Sequence, residues 1–249
     1  MITYKNDKDI GYMKEGGAKL CRVFIEVEKM LKPGVSTNDI EKEALKTIEK
    51  LGGKPSFKYV TGYQHATCIC INEQVVHTPP SDMVIKNGDI VTVDVGVLYK
   101  GLNTDKAITY IVGTPSDASE RFLSAGRRAL QAGVNEAVDG HYVGDISRAL
   151  QHEIESSGYH IVRELTGHGI GKKLHEDPAI PGFLQKDSKS TVQLKSGMTI
   201  AIEVIYTEGL PNITHEKGDY WSLVTKDKSN AACFEHTVAI QKGSPLIIA

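Results

Sequence analysis

Lys86-Asn87-Gly88-Asp89-Ile90-Val91-Thr92-Val93-Asp94-Val95 is answered 109 residues later by Lys195-Ser196-Gly197-Met198-Thr199-Ile200-Ala201-Ile202-Glu203-Val204. Each copy reads Lys-x-Gly, then an apolar strand, then a carboxylate followed by valine. A second echo lies upstream, at an offset of 106: Gly34-Val35-Ser36-Thr37-Asn38-Asp39-Ile40 resembles Gly140-His141-Tyr142-Val143-Gly144-Asp145-Ile146. Each of these precedes a helical pattern that closes on a glycine, Gly52 or Gly158. Two echoes in the same order predict two similar halves meeting near residues 113–118. If a pseudo-twofold axis relates them, Asp94 and Glu203 face one central site. A charge in a continuous apolar strand is expensive without a counter-charge, so the paired carboxylates call for a cation.

Working outward, Met13, Leu20, Phe24, Val27 and Leu31 recur at helical spacing over residues 9–31, and Pro33-Gly34 stops them. Thr37 is placed to cap a second helix running to Leu51. Strands are expected at 90–97 and 107–112, helices at 117–137 and 144–157, and strands near 199–206, 221–225 and 233–240. Each half thus supplies helices, then strands, which predicts helices outside an antiparallel or mixed sheet. The segment Val91–Ile111 reads as a hairpin turning at Tyr99-Lys100-Gly101. That centre would put Asp94 and Asp105 directly opposite each other, where two carboxylates repel unless a proton or cation intervenes.

Composition excludes much. With 249 residues, 40% hydrophobic and 24% charged, the chain is long enough for a sizeable core. A net charge of −2 gives no basic footprint for nucleic acid or an anionic membrane. No apolar run approaches a membrane span of roughly 20 residues, and Met1–Asp7 has no apolar leader stretch, so a cytoplasmic location is expected. Cys21, Cys68, Cys70 and Cys233 form no CxxC pair. They read as free buried thiols rather than a zinc knuckle, with Cys68 and Cys70 on one face of a strand.

Further chemistry sits in Gly167-His168-Gly169-Ile170-Gly171, where glycines let the backbone approach a site and the imidazole can ligate or move protons. The spacing fits no phosphate loop. His175 follows seven residues on. Glu235 lies in Cys233-Phe234-Glu235-His236-Thr237-Val238, another apolar strand, and His236 must point to the opposite face. His77 ends a strand after Asn72-Glu73-Gln74-Val75-Val76. Blander readings stay open for each: a solvated turn for Asp105, buried ion pairs for Glu203 and Glu235, a surface strand end for His77. Taken together, four carboxylates and one neutral imidazole carry −4, which two divalent ions neutralise and one does not. Oxygen-rich donors with a single nitrogen suit Mn²⁺, Fe²⁺, Co²⁺ or catalytic Zn²⁺.

These residues, in this order, resemble the type I methionine aminopeptidases of the pita-bread metallopeptidase superfamily over nearly the whole chain. The resemblance rests on Asn72-Glu73-x-Val75-x-His77, the aspartates Asp94 and Asp105, Gly167–Gly171, His175-Glu176-x-Pro178, Gly197-Met198-x-x-x-Ile202-Glu203 and Glu235-His236-Thr237. It implies an α+β pita-bread fold, two pseudo-symmetric halves with a central antiparallel or mixed sheet covered by helices. The chain would be a single catalytic domain, 1–249, with halves about 1–115 and 116–249. It further implies two divalent ions (Co, Mn, Fe or Zn) on Asp94, Asp105, His168, Glu203 and Glu235. Asp94 would chelate one ion, His168 and Glu203 the other, and Asp105 and Glu235 both. A metal-activated hydroxide would then release the N-terminal methionine, with Glu203 handling the proton, His175 stabilising charge and His77 assisting the amide.

By the same resemblance Tyr63, Cys68, His77, His175 and Trp221 bind substrate, with Phe57, Val60 and Leu174 falling at other pocket positions. The chain departs from the family pattern at Leu174 (usually phenylalanine), Val204 (usually proline) and Thr78-Pro79-Pro80 (usually Gly-x-Pro). Peptide and protein N-termini, including nascent chains at the ribosome, are the implied partners, and a monomer is expected. Two alternatives remain: a related pita-bread peptidase of other specificity, such as Xaa-Pro, and a non-catalytic pita-bread binding module. The presence of all five ligand positions argues against the second.

Overall fold

A computed structural model describes residues 2–249. The first half runs α1 (Asp7–Met30), α2 (Thr37–Lys50), β1 (Lys54–Pro55), β2 (Thr67–Ile71), β3 (Gln74–Val76), β4 (Ile90–Tyr99) and β5 (Leu102–Ile111). The second runs α3 (Asp117–Asn135), α4 (Val143–Ser156), β6 (His160–Ile161), β7 (Thr166–Gly169), β8 (Glu176–Pro181), β9 (Thr199–Thr207), β10 (Ile213–His215), β11 (Leu223–Thr225), β12 (Ala231–Ala239) and β13 (Leu246–Ile247). The helices start where side chains satisfy their first free N–H groups. Asn6 and Asp9 cap α1 reciprocally, and Ser116 and Ser119 do the same for α3. Ser36, rather than the expected Thr37, caps α2 by accepting the Asp39 amide at 3.2 Å.

The two halves repeat. In the first, β4 lies between β2 and β5, and α1 and α2 pack on it over a core containing Leu20, Phe24, Ile48, Val93 and Val95. In the second, β9 lies between β7 and β12, and α3 and α4 cover a core of Phe122, Leu150, Ile200, Ile202 and Tyr206. The strand carrying Asp94 and the strand carrying Glu203 are therefore the central strands of equivalent units. A third small sheet, β10-β11-β3, ties the halves together. Every pairing between named strands is antiparallel.

The hairpin β4–β5 corrects one expectation. Its turn is the two-residue Lys100-Gly101, both with positive φ (48° and 81°), the signature of a type I′ turn that matches strand twist. The centre thus falls one residue later than the sequence reading placed it. Asp94 pairs with Ala107 and Asp105 with Gly96. The aspartates share a face as diagonal neighbours, about 7–8 Å apart at Cα, instead of facing each other directly.

Where β5 meets β12, two threonines stitch the halves. The Asp105 N–H donates to Thr237 Oγ1 and Thr237 Oγ1 donates to the Asp105 carbonyl, both at 2.8 Å. Reciprocally, the Cys233 N–H donates to Thr109 Oγ1 at 3.0 Å, and that hydroxyl donates to the Cys233 carbonyl at 2.7 Å. Thr109 stands to Cys233 as Thr237 stands to Asp105, a local trace of the pseudo-twofold relation.

Candidate metal centre

A cavity of about 150 Å³, partly open to solvent, sits over this seam. Asp94, Asp105, His168, Glu203 and Glu235 all line it. They arrive from five strands, β4, β5, β7, β9 and β12. Glu203 and Glu235 are direct partners across β9 and β12, and His168 lies opposite Ala201, two residues from Glu203. Asp105 and Glu235 are almost fully buried, at 4% and 3% exposure. One ligand atom each from Asp105, His168 and Glu235 lie within 4.8 Å of one another.

Burial dominates the electrostatics. It lifts the Asp105 carboxyl to about 7. Burial, together with the charge on Asp105, lifts Glu203 to about 8. Asp94 and Glu235 rise well above the usual carboxylate range for the same first reason, reinforced by their acidic neighbours. Buried polar atoms nearly always find partners, yet Asp94 Oδ1 and Glu235 Oε1 have no hydrogen-bond partner among the described residues. Two orphaned acceptors inside a four-carboxylate cluster fit divalent cations.

His168 has the protonation state and orientation that metal ligation requires. Burial, followed by the nearby His175, lowers it to about 4, so the ring is neutral at neutral pH. Its Nδ1 lies 2.8 Å from the Gly169 carbonyl. A proton on Nδ1 satisfies that carbonyl and leaves the Nε2 lone pair free, the orienting device common to metal-bound histidines. The strand position of His168 was not foreseen: β7 is threaded between β8 and β9. A side chain at Gly169 would overlap the Asp177 carbonyl, which gives the flanking glycine a packing reason.

The other predicted residues gather at the same cavity. His175 meets His168 edge-on with ring centroids 4.4 Å apart. His77 follows β3 with φ of +63°, a left-handed conformation uncommon outside glycine and often found at functional positions. Desolvation lowers both rings from the usual imidazole value, and His77 is lowered further by His175. Beyond them Phe57, Val60, Tyr63, Cys68, Leu174 and Trp221 form an apolar recess. Tyr63 and Trp221 pack edge-to-face at 5.0 Å, and the Tyr63 hydroxyl donates to the Thr67 carbonyl at 2.8 Å, so the recess presents rings without an unmet hydroxyl. His236 points away, as expected, with Nδ1 3.0 Å from Lys106 Nζ and 2.6 Å from the Ala249 carbonyl.

Several lining residues were not singled out as site residues: Cys70, Thr92 and Cys233. Period two gives the missed signal, since Cys70, Thr92 and Cys233 each lie two positions from Cys68, Asp94 and Glu235 on the same strand face. All four cysteines are free thiols; Cys68, Cys70 and Cys233 are buried as expected, whereas Cys21 is only half-buried.

The profile of Metallopeptidase family M24 matches residues 11–242. Methionine aminopeptidase 1 of Bacillus subtilis is 38% identical over 240 residues, covering 96% of each chain. The crystal structure of methionine aminopeptidase from Thermotoga maritima superimposes with a TM-score of 0.96 at 39% identity, covering 100% of this chain and 99% of that one. Prolidase from Pyrococcus furiosus shares the fold alone, with a TM-score of 0.80 at 21% identity over 64% of its own length.

Proposed function

The chain belongs to metallopeptidase family M24, in the company of methionine aminopeptidases similar to it along its full length, and on that premise we propose how its own residues remove an N-terminal methionine. It is a metal-dependent aminopeptidase. The observation that carries the reading is the pairing of orphaned Asp94 and Glu235 oxygens with an apolar recess in one cavity.

Asp94, Asp105, His168, Glu203 and Glu235 would hold two divalent ions, Co, Mn, Fe or Zn, because two such ions balance four carboxylates. When bound, divalent cations supply Lewis-acid polarisation and a nucleophilic water at neutral pH. Tyr63, Cys68 and Trp221 take the methionine side chain and fix its peptide bond beside the acidic cluster. Only a free N-terminus fits, since chain preceding the methionine would run into Asp94 and its neighbours. The Glu203 carboxylate accepts the proton of the attacking water and returns it to the departing amine. A ring N–H of His175 donates to the carbonyl oxygen as negative charge builds there, a contact worth about 10²–10³ in rate at comparable sites. His77 assists the scissile amide and the leaving group.

The chain is read as one catalytic domain, 1–249, with halves 1–115 and 116–249, acting as a monomer in the cytoplasm on nascent chains at the ribosome. No helix among the described residues is long and apolar enough to cross a membrane.

Peptide specificity tests the assignment. The metal-loaded protein should release methionine from Met-Ala-Ser and leave Ala-Pro peptides intact. Preference for Xaa-Pro substrates would overturn it.

A further inference from the structure

His175 hangs on a short link, residues 170–175, between β7 and β8, and Ile170 anchors its start in a core with Met13 and Leu102. What holds that link comes from far away in sequence. Glu176, the residue after His175, is clamped by the N-terminal segment. Lys5 Nζ donates to Glu176 Oε2 at 2.7 Å, with both side chains only 5% exposed. The Thr3 hydroxyl donates to the same oxygen, and Lys5 Nζ reaches Thr3 Oγ1 at 2.5 Å. The other oxygen, Glu176 Oε1, accepts the Lys173 N–H at 3.1 Å and so closes the link onto itself. Lys5 is itself fixed, its N–H donating to the Gly197 carbonyl at 2.7 Å, beside the turn that launches β9 and Glu203.

The fit around this ion pair is close. A side chain at Gly171 would overlap the aliphatic stem and ammonium of Lys5. From the opposite side Asn103, two residues before Asp105, donates to the Gly171 carbonyl at 2.9 Å and the Lys172 carbonyl at 3.2 Å. The link is therefore held between β5 and the N-terminal segment. Burial alone would raise the Glu176 carboxyl, but bonds from Lys5, Thr3 and the Lys173 amide outweigh it and keep the group ionised. Breaking one side of a buried pair leaves an uncompensated charge; here that charge would lie beside the backbone that carries His175.

We propose that Lys5 and Glu176 form a positioning pair for His175: the buried ion pair fixes the 170–175 link so that the His175 ring meets the substrate carbonyl when charge develops there. Neither residue touches substrate. The inference rests on the aminopeptidase reading given above, but one of its readouts does not.

Lys5→Met and Glu176→Gln should each lower kcat on Met-Ala-Ser by about tenfold to a hundredfold, the scale of a 1 Å misplacement, with KM within about twofold. The double variant should lose no more than either single one, and Lys5→Arg should restore most of the rate. In metal-free protein both variants should speed hydrogen exchange at the Lys173 and Gly171 amides while leaving β4 and β9 protected. That readout stands even if the substrate assignment fails. Ile154→Val, a core change distant from the site, controls for lost stability and should keep wild-type kcat. Should Lys5→Met fail to fold, Glu176→Gln carries the same comparison. An unchanged kcat in folded Glu176→Gln, a rise in KM alone, additive losses in the double variant, or unaltered exchange at Lys173 would each overturn the proposal.

Discussion

Thr237 holds the backbone of Asp105 at both its N–H and its carbonyl, each at 2.8 Å, from a strand of the opposite half. The contact fixes a carboxylate from the first half against Glu235, two residues from Thr237 on the same strand face. Because the two hydrogen bonds are buried, Thr237→Val should lower stability by about 1–3 kcal/mol. It should also weaken divalent-metal affinity by about tenfold or more, as loss of a supporting contact to a ligand commonly does. Calorimetric metal titration and thermal melting measure the two effects separately.

Metal removal should invert the usual pH dependence of stability. Burial raises Asp105 from 3.8 to about 7 and Glu203 from 4.5 to about 8. Between these limits the folded chain binds more protons than the unfolded one, so stability falls as pH increases. The contribution is fully present below pH 4 and is lost as pH rises through about 7 and 8. Melting temperatures of chelator-treated protein should therefore decline from pH 5 to pH 8, and saturating Mn²⁺ should flatten that decline.

The site trades stability for metal binding. Glu235 has an oxygen without a partner and a carboxyl crowded by Asp105, Glu203 and Asp94. Glu235→Gln leaves one ionisable group fewer in that crowd. Metal-free Glu235→Gln should melt higher than the metal-free parent at pH 8, by about 2–4 °C for each ~1 kcal/mol relieved. With metal present the order should reverse.

Trp221 closes the apolar recess against Tyr63. Trp221→Ala should raise KM for methionyl peptides by about tenfold or more while sparing metal affinity, since apolar pockets discriminate through contact area. Steady-state kinetics with calorimetry on the same preparation distinguishes this from a metal defect.

The repeat around Asp94 and Glu203 made the two-half architecture readable, because burying a carboxylate at the same point of two apolar strands is costly unless both face a shared cation. All four helices lie where the apolar spacing put them, within a few residues. The diagonal placement of Asp94 and Asp105 was not readable, since a one-residue change in turn centre separates it from direct opposition. Only the type I′ geometry at Lys100-Gly101 decides that. The tie between Lys5 and Glu176 was equally hidden: neither residue is unusual locally, and 171 positions separate them. Cys70 and Cys233 entered the cavity through period-two placement beside Cys68 and Glu235, a signal present in the sequence but shared with ordinary buried thiols.

Metal dependence of the reaction is the most direct test. Methionine released from Met-Ala-Ser is measured as Mn²⁺, Co²⁺ or Fe²⁺ is titrated into chelator-stripped protein, in parallel with Glu203→Ala. Release should be absent without metal, should recover on titration in the parent chain and should stay absent in the variant. Full activity in metal-free protein, or normal activity in Glu203→Ala, would contradict it.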